Sequence, residues 1–346
     1  MITEPRRSQK RSAYPLANNP RGSILVLALW SLCLLTAFAV ITGYEVRQKI
    51  ALVQRLDGRA RLRLIGEAGV KSMCAEVKLI PEEEPVALNE TKGAVRVTTL
   101  GGGQFSIGDY SGAATPELAP TQFGCIDEER KININKVDLR ELQRLVCIVL
   151  GLDEMESQEL AACIIDWRDG DSQLSLPVGS AEDSYYKNLP YPYEAKDGDF
   201  EVLDELLLVK GVTPEVFEKL KNYITIYGSG RVNVNTASRN VLVALGLNDD
   251  IAEKIVAFRR GLDGVAGTPD DNIFLAAQDI VPRLSQFYRF NDFEIAQMTA
   301  VTERFLVANS RYLMVKSTAR LVASKNVAEI VSVIDRKGKV LSWREF

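Results

Sequence analysis

The feature that most constrains this chain is an uncharged apolar run, SILVLALWSLCLLTAFAVITGY, from Ser23 to Tyr44. As a helix rising 1.5 Å per residue it would be about 33 Å long, enough to cross the hydrocarbon core of a bilayer. The residues before it are polar and basic, with Arg6, Arg7, Lys10, Arg11 and Arg21 against one acid, Glu4. A basic flank predicts that this end stays cytoplasmic and that the rest of the chain lies across the membrane. A secretory signal would have a shorter core closed by a small-residue cleavage site. Here the run continues without a turn into EVRQKIALVQRLDGRARLRLIGEAGV, where Val46, Ile50, Val53, Ala60, Leu64 and Ala68 recur at helical spacing. The next proline is Pro81, so the pattern predicts one helix from Ser23 to about Ile80. Gly58, Gly66 and Gly69 are expected to weaken it and to allow a bend.

Beyond this segment the composition is globular, with 46% hydrophobic and 25% charged residues. The formal charge of -4 offers no overall attraction to a phosphate backbone, so membrane contact must come from a specific segment. There is no histidine. That removes the commonest general base and every His-ligated zinc site. Cys33, Cys74, Cys125, Cys147 and Cys163 contain no CxxC pair. Cys33 lies in the apolar run; the other four leave both disulfides and buried thiols open.

Strand-like segments flank a long helical stretch. AVRVTTL and GQFSIGDY precede it, with SGAATPELAP as a boundary; RYLMVKSTARLV, VAEIVSVIDRKG and KVLSWREF follow it, with Gly338 suited to a hairpin turn. The predicted fold class is α+β: a long N-terminal transmembrane helix packed on a small antiparallel sheet, with a large helical domain inserted between its strands. The expected divisions are a leader over 1–22, a span over 23–44, its helical continuation over 45–80, the first part of the α/β domain over 81–125, the inserted helical domain over 126–305, and completing strands over 306–346.

The inserted block contains an internal repeat. KININKVDLRELQRLVCIVLGLDEMESQELAACIIDWRDG parallels RVNVNTASRNVLVALGLNDDIAEKIVAFRRG, with Asn133 and Asn135 matching Asn233 and Asn235. Each unit reads as a short strand, an Asn turn, a helix, a glycine turn and a second helix, with the Asn expected to bond local backbone and cap the next helix. Asp204 to Gly228 reads as a third unit of similar kind. Such units resemble helix-hairpin-helix motifs, so a membrane-anchored periplasmic DNA receptor is one reading. The turns LGLDEM, LGLNDD and KGVTPE lack the second glycine of a phosphate-binding hairpin. Asp153-Glu154 and Asp249-Asp250 would repel phosphate, which argues against nucleic acid as a partner.

The basic leader ending in Gly22 before an apolar helix resembles a type IV prepilin or pseudopilin. The resemblance narrows to the K-type minor pseudopilins of type II secretion. It rests on Leu27 at the fifth position after Gly22, where most pilins have Glu, on DWRDGDSQLSLPVGSAEDSYYKNLPYPYEAKDG, on FEVLDELLLVKGVTPEVFEKL and on RVNVNTASRNVLVAL. It implies the pseudopilin fold with helix-hairpin-helix-like (SAM-like) repeats in the inserted domain. It implies cleavage by a prepilin peptidase between Gly22 and Ser23, with methylation. It also implies a structural role, not an enzymatic one, at the tip of a pseudopilus in protein export. The implied partners are the I-type and J-type minor pseudopilins and other pseudopilus subunits, with the secretin and the exported protein as further candidates. The implied location is the inner membrane, single-pass, with the C-terminal domain in the periplasm. A buried carboxylate in lipid needs a partner, so a subunit without one at position 27 needs no subunit ahead of it.

Asp169, Asp171, Glu182 and Asp183 share a polar loop with Gly170, Pro177 and Gly179. Several hard oxygen ligands in a flexible loop suit calcium better than zinc or copper, although a solvated acidic loop would read the same. K-type relatives carry calcium in their helical domain, so the resemblance implies this loop as a ligand source. Asp263, Asp270 and Asp271 form a second acidic cluster. An acid/base enzyme could use such carboxylates, but no nucleophile or cofactor loop accompanies them.

Overall fold

The computed structural model describes residues 20–87, 96–108, 124–266, 268, 270–322 and 326–346. Most of the leader and the boundary segment SGAATPELAP lie outside them. The chain divides into two compact units, Met1–Arg59 and Ala60–Phe346, each taken by itself below.

The first unit is helical wherever it is described. Helix α1 is Pro20–Val77, within a few residues of the predicted bounds at each end. Proline is well placed at a helix start, where its missing N–H costs nothing. From Ile24 onward α1 is long and apolar enough to cross a membrane, with Leu25, Leu34, Leu35 and Phe38 at 66–72% exposure. Three hydroxyls within the apolar run turn back on the helix. Ser31 Oγ donates to Leu27 O (2.9 Å), Thr36 Oγ1 to Cys33 O (2.9 Å) and Thr42 Oγ1 to Phe38 O (2.8 Å). These three hydroxyls therefore do not depend on solvent, which suits a helix in lipid.

In the second unit, the C-terminal part of α1 packs on a six-stranded antiparallel sheet. Its strands are β1 (Arg96–Leu100), β2 (Gly103–Ile107), β3 (Ile126–Asp127), β8 (Tyr312–Leu321), β9 (Val327–Asp335) and β10 (Val340–Glu345). The order is β1-β2-β8-β9-β10, with β3 also pairing β8, so strands from both ends of the chain share one sheet. Period-2 alternation places Leu313, Val315 and Ala319 of β8 and Ile330 and Ile334 of β9 in one core with Leu62, Ile65, Val70, Met73 and Val77 of α1. The β1–β2 hairpin turns on Gly101 and Gly102, both at positive φ, which side chains resist. Arg336, at the β9–β10 turn, donates to the carbonyls of Pro81, Glu82 and Glu84 (2.7–3.1 Å) and so ties down the chain leaving α1.

The helix neither bends nor breaks at Gly66 and Gly69; α1 runs through both. Their role is close approach. A Cβ on Gly69 would press into Ser317 Oγ and lie 3.0 Å from Phe105 Cδ2, and one on Gly66 would lie 2.8 Å from Ile330 Cδ1. The absent side chains let α1 settle directly on β2, β8 and β9.

Between β3 and β8 the chain is mainly helical around a separate core. It contains β4 (Ile132–Asn133), α2 (Leu139–Leu150), α3 (Glu154–Arg168), α4 (Asp183–Tyr186), α5 (Pro214–Leu220), β5 (Ile224–Thr225), β6 (Val232–Asn233), α6 (Arg239–Ala244), α7 (Asp249–Arg259), α8 (Ile280–Leu284), α9 (Asp292–Phe305) and β7 (Leu306–Val307). The repeat is visible in the backbone. β4 pairs in parallel with β5, and β6 with β7. The units β4-α2-α3 and β6-α6-α7 correspond. Asn133 Oδ1 accepts from Asn135 N (2.8 Å), and Asn233 Oδ1 from Asn235 N (3.0 Å). The second Asn of each pair clamps a distant phenylalanine by both backbone groups: Asn135 holds Phe200 and Asn235 holds Phe274, at 2.8–2.9 Å. The asparagines do not cap the following helices. Asp138 and Ser238 occupy those positions, because the Asn side chains are committed to the loops.

Candidate functional site

The Asn clamps define two equivalent loops. One leaves α3 and returns to Phe200; the other leaves α7 and returns to Phe274. Each carries one of the acidic clusters, and the two differ in how their carboxylates are used.

In the first loop Asp169, Asp171 and Glu182 converge, with one carboxylate oxygen from each lying within 4.8 Å of the others. Asp169 caps the C-terminus of α3, its N–H donating to Ile165 O (3.0 Å). Asp171 closes a tight turn by accepting from Gln173 N (2.7 Å). Glu182 stands before α4, its carbonyl accepting from Tyr185 and Tyr186 N–H. Asp183, the fourth expected ligand, is turned elsewhere. It accepts from Ala195 N (2.8 Å) and pairs with Lys187 (2.7 Å), which holds its carboxyl below the usual range.

Sequence reasoning missed a neighbouring acid. Asp166, on the last turn of α3, is fully buried; its Oδ1 accepts from Ser175 N (3.0 Å) and its Oδ2 has no partner. Glu182 Oε1 and Asp169 Oδ1 are likewise buried without hydrogen-bond partners. Burial pushes the Glu182 carboxyl up to about 7, with the Asp166 and Asp169 charges adding to the shift. Asp169 is raised for the same reasons, burial first and then Asp166 and Asp171. Buried carboxylates that repel one another and keep unused lone pairs are costly unless a cation neutralises them. The donor set is all hard oxygen, which suits calcium better than zinc or copper. The floor beneath is aromatic: Trp167 packs edge-on against Tyr186 (5.1 Å between centroids), and Tyr193 stacks on Tyr186 (5.3 Å). Only the position of Asp166 one turn before Asp169 could have signalled its role, since an acid within the apolar stretch ACIIDW must be held by something.

In the second loop, Asp263 and Asp270 are satisfied by groups of the loop itself. Asp270 Oδ2 accepts from the N–H groups of Leu262 and Asp263 (2.6 and 3.1 Å), its other oxygen accepts from the Thr268 hydroxyl, and these bonds hold its carboxyl below the usual range. Asp263 accepts from Val265 N (2.7 Å). This cluster has the form of a closed turn.

A third group, also missed, joins the helical block to the sheet. Asp127, Glu128, Glu129, Arg130 and Lys131 form the charged run DEERK, yet all five are buried. Asp127 is fully buried and accepts from Glu129 N (2.8 Å), Asn233 Nδ2 (2.8 Å), Thr236 Oγ1 (2.6 Å) and Ser310 Oγ. Glu128 pairs with Lys131 (2.8 Å) and accepts from Thr225 Oγ1 (2.7 Å); Glu129 accepts from Ser310 Oγ (3.0 Å). Asp127, at one end of the insertion, thus meets both Ser310 at the other end and the second Asn turn. No disulfide joins cysteines among the described residues.

Comparison with known proteins agrees with this architecture. Residues 112–229 match the family model described as type II secretion system (T2SS), protein K. Type II secretion system protein K of Aeromonas hydrophila is 33% identical over 118 residues, covering 32% of this chain and 35% of that protein. Its counterpart from Dickeya chrysanthemi is 29% identical over 161 residues, covering 42% and 44%. The aligned region thus spans between a third and a half of these relatives' length. A chain in the crystal structure of the GspK-GspI-GspJ complex from the enterotoxigenic Escherichia coli type 2 secretion system superposes with a TM-score of 0.58 at 15% identity, covering 85% of this chain and 99% of that one.

Proposed function

We propose that this chain, which belongs over residues 112–229 to the type II secretion system protein K family, is a minor pseudopilin that sits at the tip of a pseudopilus and takes part in exporting folded proteins. The observation that carries the reading is the join in α1: one helix begins in a membrane-length apolar segment and ends packed on a pseudopilin-type sheet. The helix anchors the subunit in the inner membrane, and the head lies in the periplasm. A prepilin peptidase cuts between Gly22 and Ser23. I-type and J-type minor pseudopilins are the proposed partners, because a structural neighbour was solved in a complex of GspK, GspI and GspJ. The role is structural and not catalytic.

The test is co-purification of the solubilised chain with the I-type and J-type subunits, alongside the mass of the mature protein. The expected result is a complex containing all three and an N-terminus at Ser23, with Gly22→Leu left uncut. A chain recovered alone, still starting at Met1 in cells with active peptidase, would refute the assignment.

Calcium bound by Asp169, Asp171 and Glu182, with Asp166 behind them, is the proposed metal. Its support is the set of buried carboxylate oxygens without partners. The cation would neutralise that cluster and fix the loop between α3 and Phe200. Chelation should lower the melting temperature and calcium restore it. Identical curves with and without chelator would remove calcium from the assignment without touching the pseudopilin reading.

A further inference from the structure

The first turns of α1 beyond its apolar run carry Arg47, Lys49 and Arg55, all exposed and none with an ion-pair partner among the described residues. Their setting is defined by Tyr44, the aromatic residue that closes the run and is 64% exposed. Aromatic residues favour the headgroup level of a membrane. With Tyr44 at that level, Arg47 and Lys49 lie about 4 and 8 Å further along the helix axis. The interfacial layer on each side of the hydrocarbon core is about 5–8 Å thick, so both fall within it. Arg55 is about 17 Å out, but helical side chains lean toward the N-terminus, and its long stem directs the guanidinium back toward the membrane. That brings it to within about a Debye length of the phosphates.

Their angular distribution separates two possible occupants. At 100° per residue, Lys49 is about 200° and Arg55 about 80° round the helix from Arg47. The three charges therefore encircle the axis. A neighbouring protein helix meets one face, and an acidic partner helix would call for charges along one stripe. A layer of lipid phosphates surrounds the helix on all sides and calls for a ring. Between these charges run Val46, Ile50 and Val53, which are 48–62% exposed and can cover acyl-chain ends at the boundary.

We propose that Arg47, Lys49 and Arg55 form a basic collar that binds the anionic phosphates of phospholipid headgroups on the side where α1 leaves the membrane, and so fixes the depth of the anchor. The collar rests on the anchor reading above, and the experiment separates the two. The full chain is reconstituted in equimolar phosphatidylcholine and phosphatidylglycerol, and spin-labelled lipids report which lipid is immobilised at the protein. The expected preference for phosphatidylglycerol is about fivefold at low salt and falls toward unity at high salt.

In R47Q/K49Q/R55Q the preference should be lost. R140Q/K219Q/R289Q removes the same charge from exposed positions in the head and should keep it. The leader charges are common to all three proteins, so they cancel in the comparison. Preference retained in the collar variant, or lost equally in the head variant, overturns the collar. A collar variant that keeps its lipid preference but no longer recovers the partner subunits assigns the ring to protein contact and overturns it too. A chain that alkaline carbonate strips from the bilayer overturns the anchor and the collar together.

Discussion

The contact between α1 and the sheet yields a prediction whose sign depends on which glycine is filled. Gly69→Ala gains about 1 kcal/mol of helix propensity. The new methyl group presses into Ser317 Oγ and meets Phe105 at 3.0 Å and Ser317 Cβ at 3.2 Å. Overpacking of that kind costs about 1–3 kcal/mol, so the net loss should reach about 2 kcal/mol. Gly66→Ala gains the same propensity but meets the far end of Ile330, at 2.8 Å from Cδ1, and a rotamer adjustment there costs about 0.5–1.5 kcal/mol. It should be close to neutral. Ser317 Oγ is buried without a hydrogen-bond partner, so Ser317→Ala alone should cost little. In the Gly69→Ala background it should restore about 1–2 kcal/mol as a coupling energy. The assay is thermal denaturation of the solubilised chain, followed by circular dichroism, at about 2–4 °C per kcal/mol. If Gly69→Ala is as stable as the unsubstituted chain, or if Ser317→Ala fails to relieve it, the close-approach argument is wrong.

Asp127→Ala should remove an acceptor shared by four buried donors and orphan the Glu129 N–H, since Asn233, Thr236 and Ser310 keep Val86 O, Asn233 O and Glu129; the cost should be about 1–3 kcal/mol, seen as a lower denaturation midpoint, whereas Lys136→Ala in an exposed ion pair should shift it by less than about 1 kcal/mol. Glu182, raised from 4.5 to about 7, binds its proton more tightly folded than unfolded. Its contribution is therefore full below about 4.5 and lost as pH rises to about 7, so melting temperature in chelator should fall across that window; saturating calcium should flatten the slope, and an unchanged slope would contradict the site. A gel-shift titration should show no salt-sensitive affinity for duplex DNA, since the carboxylate of Asp153 already takes the Glu156 N–H at the turn into α3; sub-micromolar binding would reopen the receptor reading.

The strands β8 and β9 were legible because buried apolar residues recur along one face of each, and β10 because Gly338 marks the turn that precedes it. The Asn repeat was legible as a pattern, but its purpose was not. Asn135 and Asn235 bond phenylalanines 65 and 39 residues away, and spacing carries no sign of such partners. DEERK was hidden for the opposite reason: a run of charges reads as solvated, and only tertiary structure supplies Ser310, Thr236 and Thr225 to satisfy it. Gly66 and Gly69 looked like weak points because propensity registers the missing side chain and not the strand that needs its space. Orientation in the membrane was less legible than the leader suggested. Arg47, Lys49, Arg55, Arg59, Arg61 and Arg63 follow the span, against Arg6, Arg7, Lys10, Arg11 and Arg21 before it, so flanking charge is nearly balanced.

The sheet drawn from both ends of the chain has a consequence in time. A ribosome delivers α1 first and β8 to β10 last, and Arg336 reaches the carbonyl of Glu82 across 254 residues. The helical block has its own core and can close while synthesis continues. Until the final strands emerge, Leu62, Ile65 and Met73 have almost nothing to cover them, apart from the β1–β2 hairpin. A nascent chain therefore spends most of its synthesis with the apolar face of the C-terminal part of α1 uncovered. Contacts so distant in sequence form slowly. Exposed apolar surface of this kind invites aggregation or the attention of a holding chaperone, and a premature stop anywhere before β8 would leave a helical block joined to an uncovered helix.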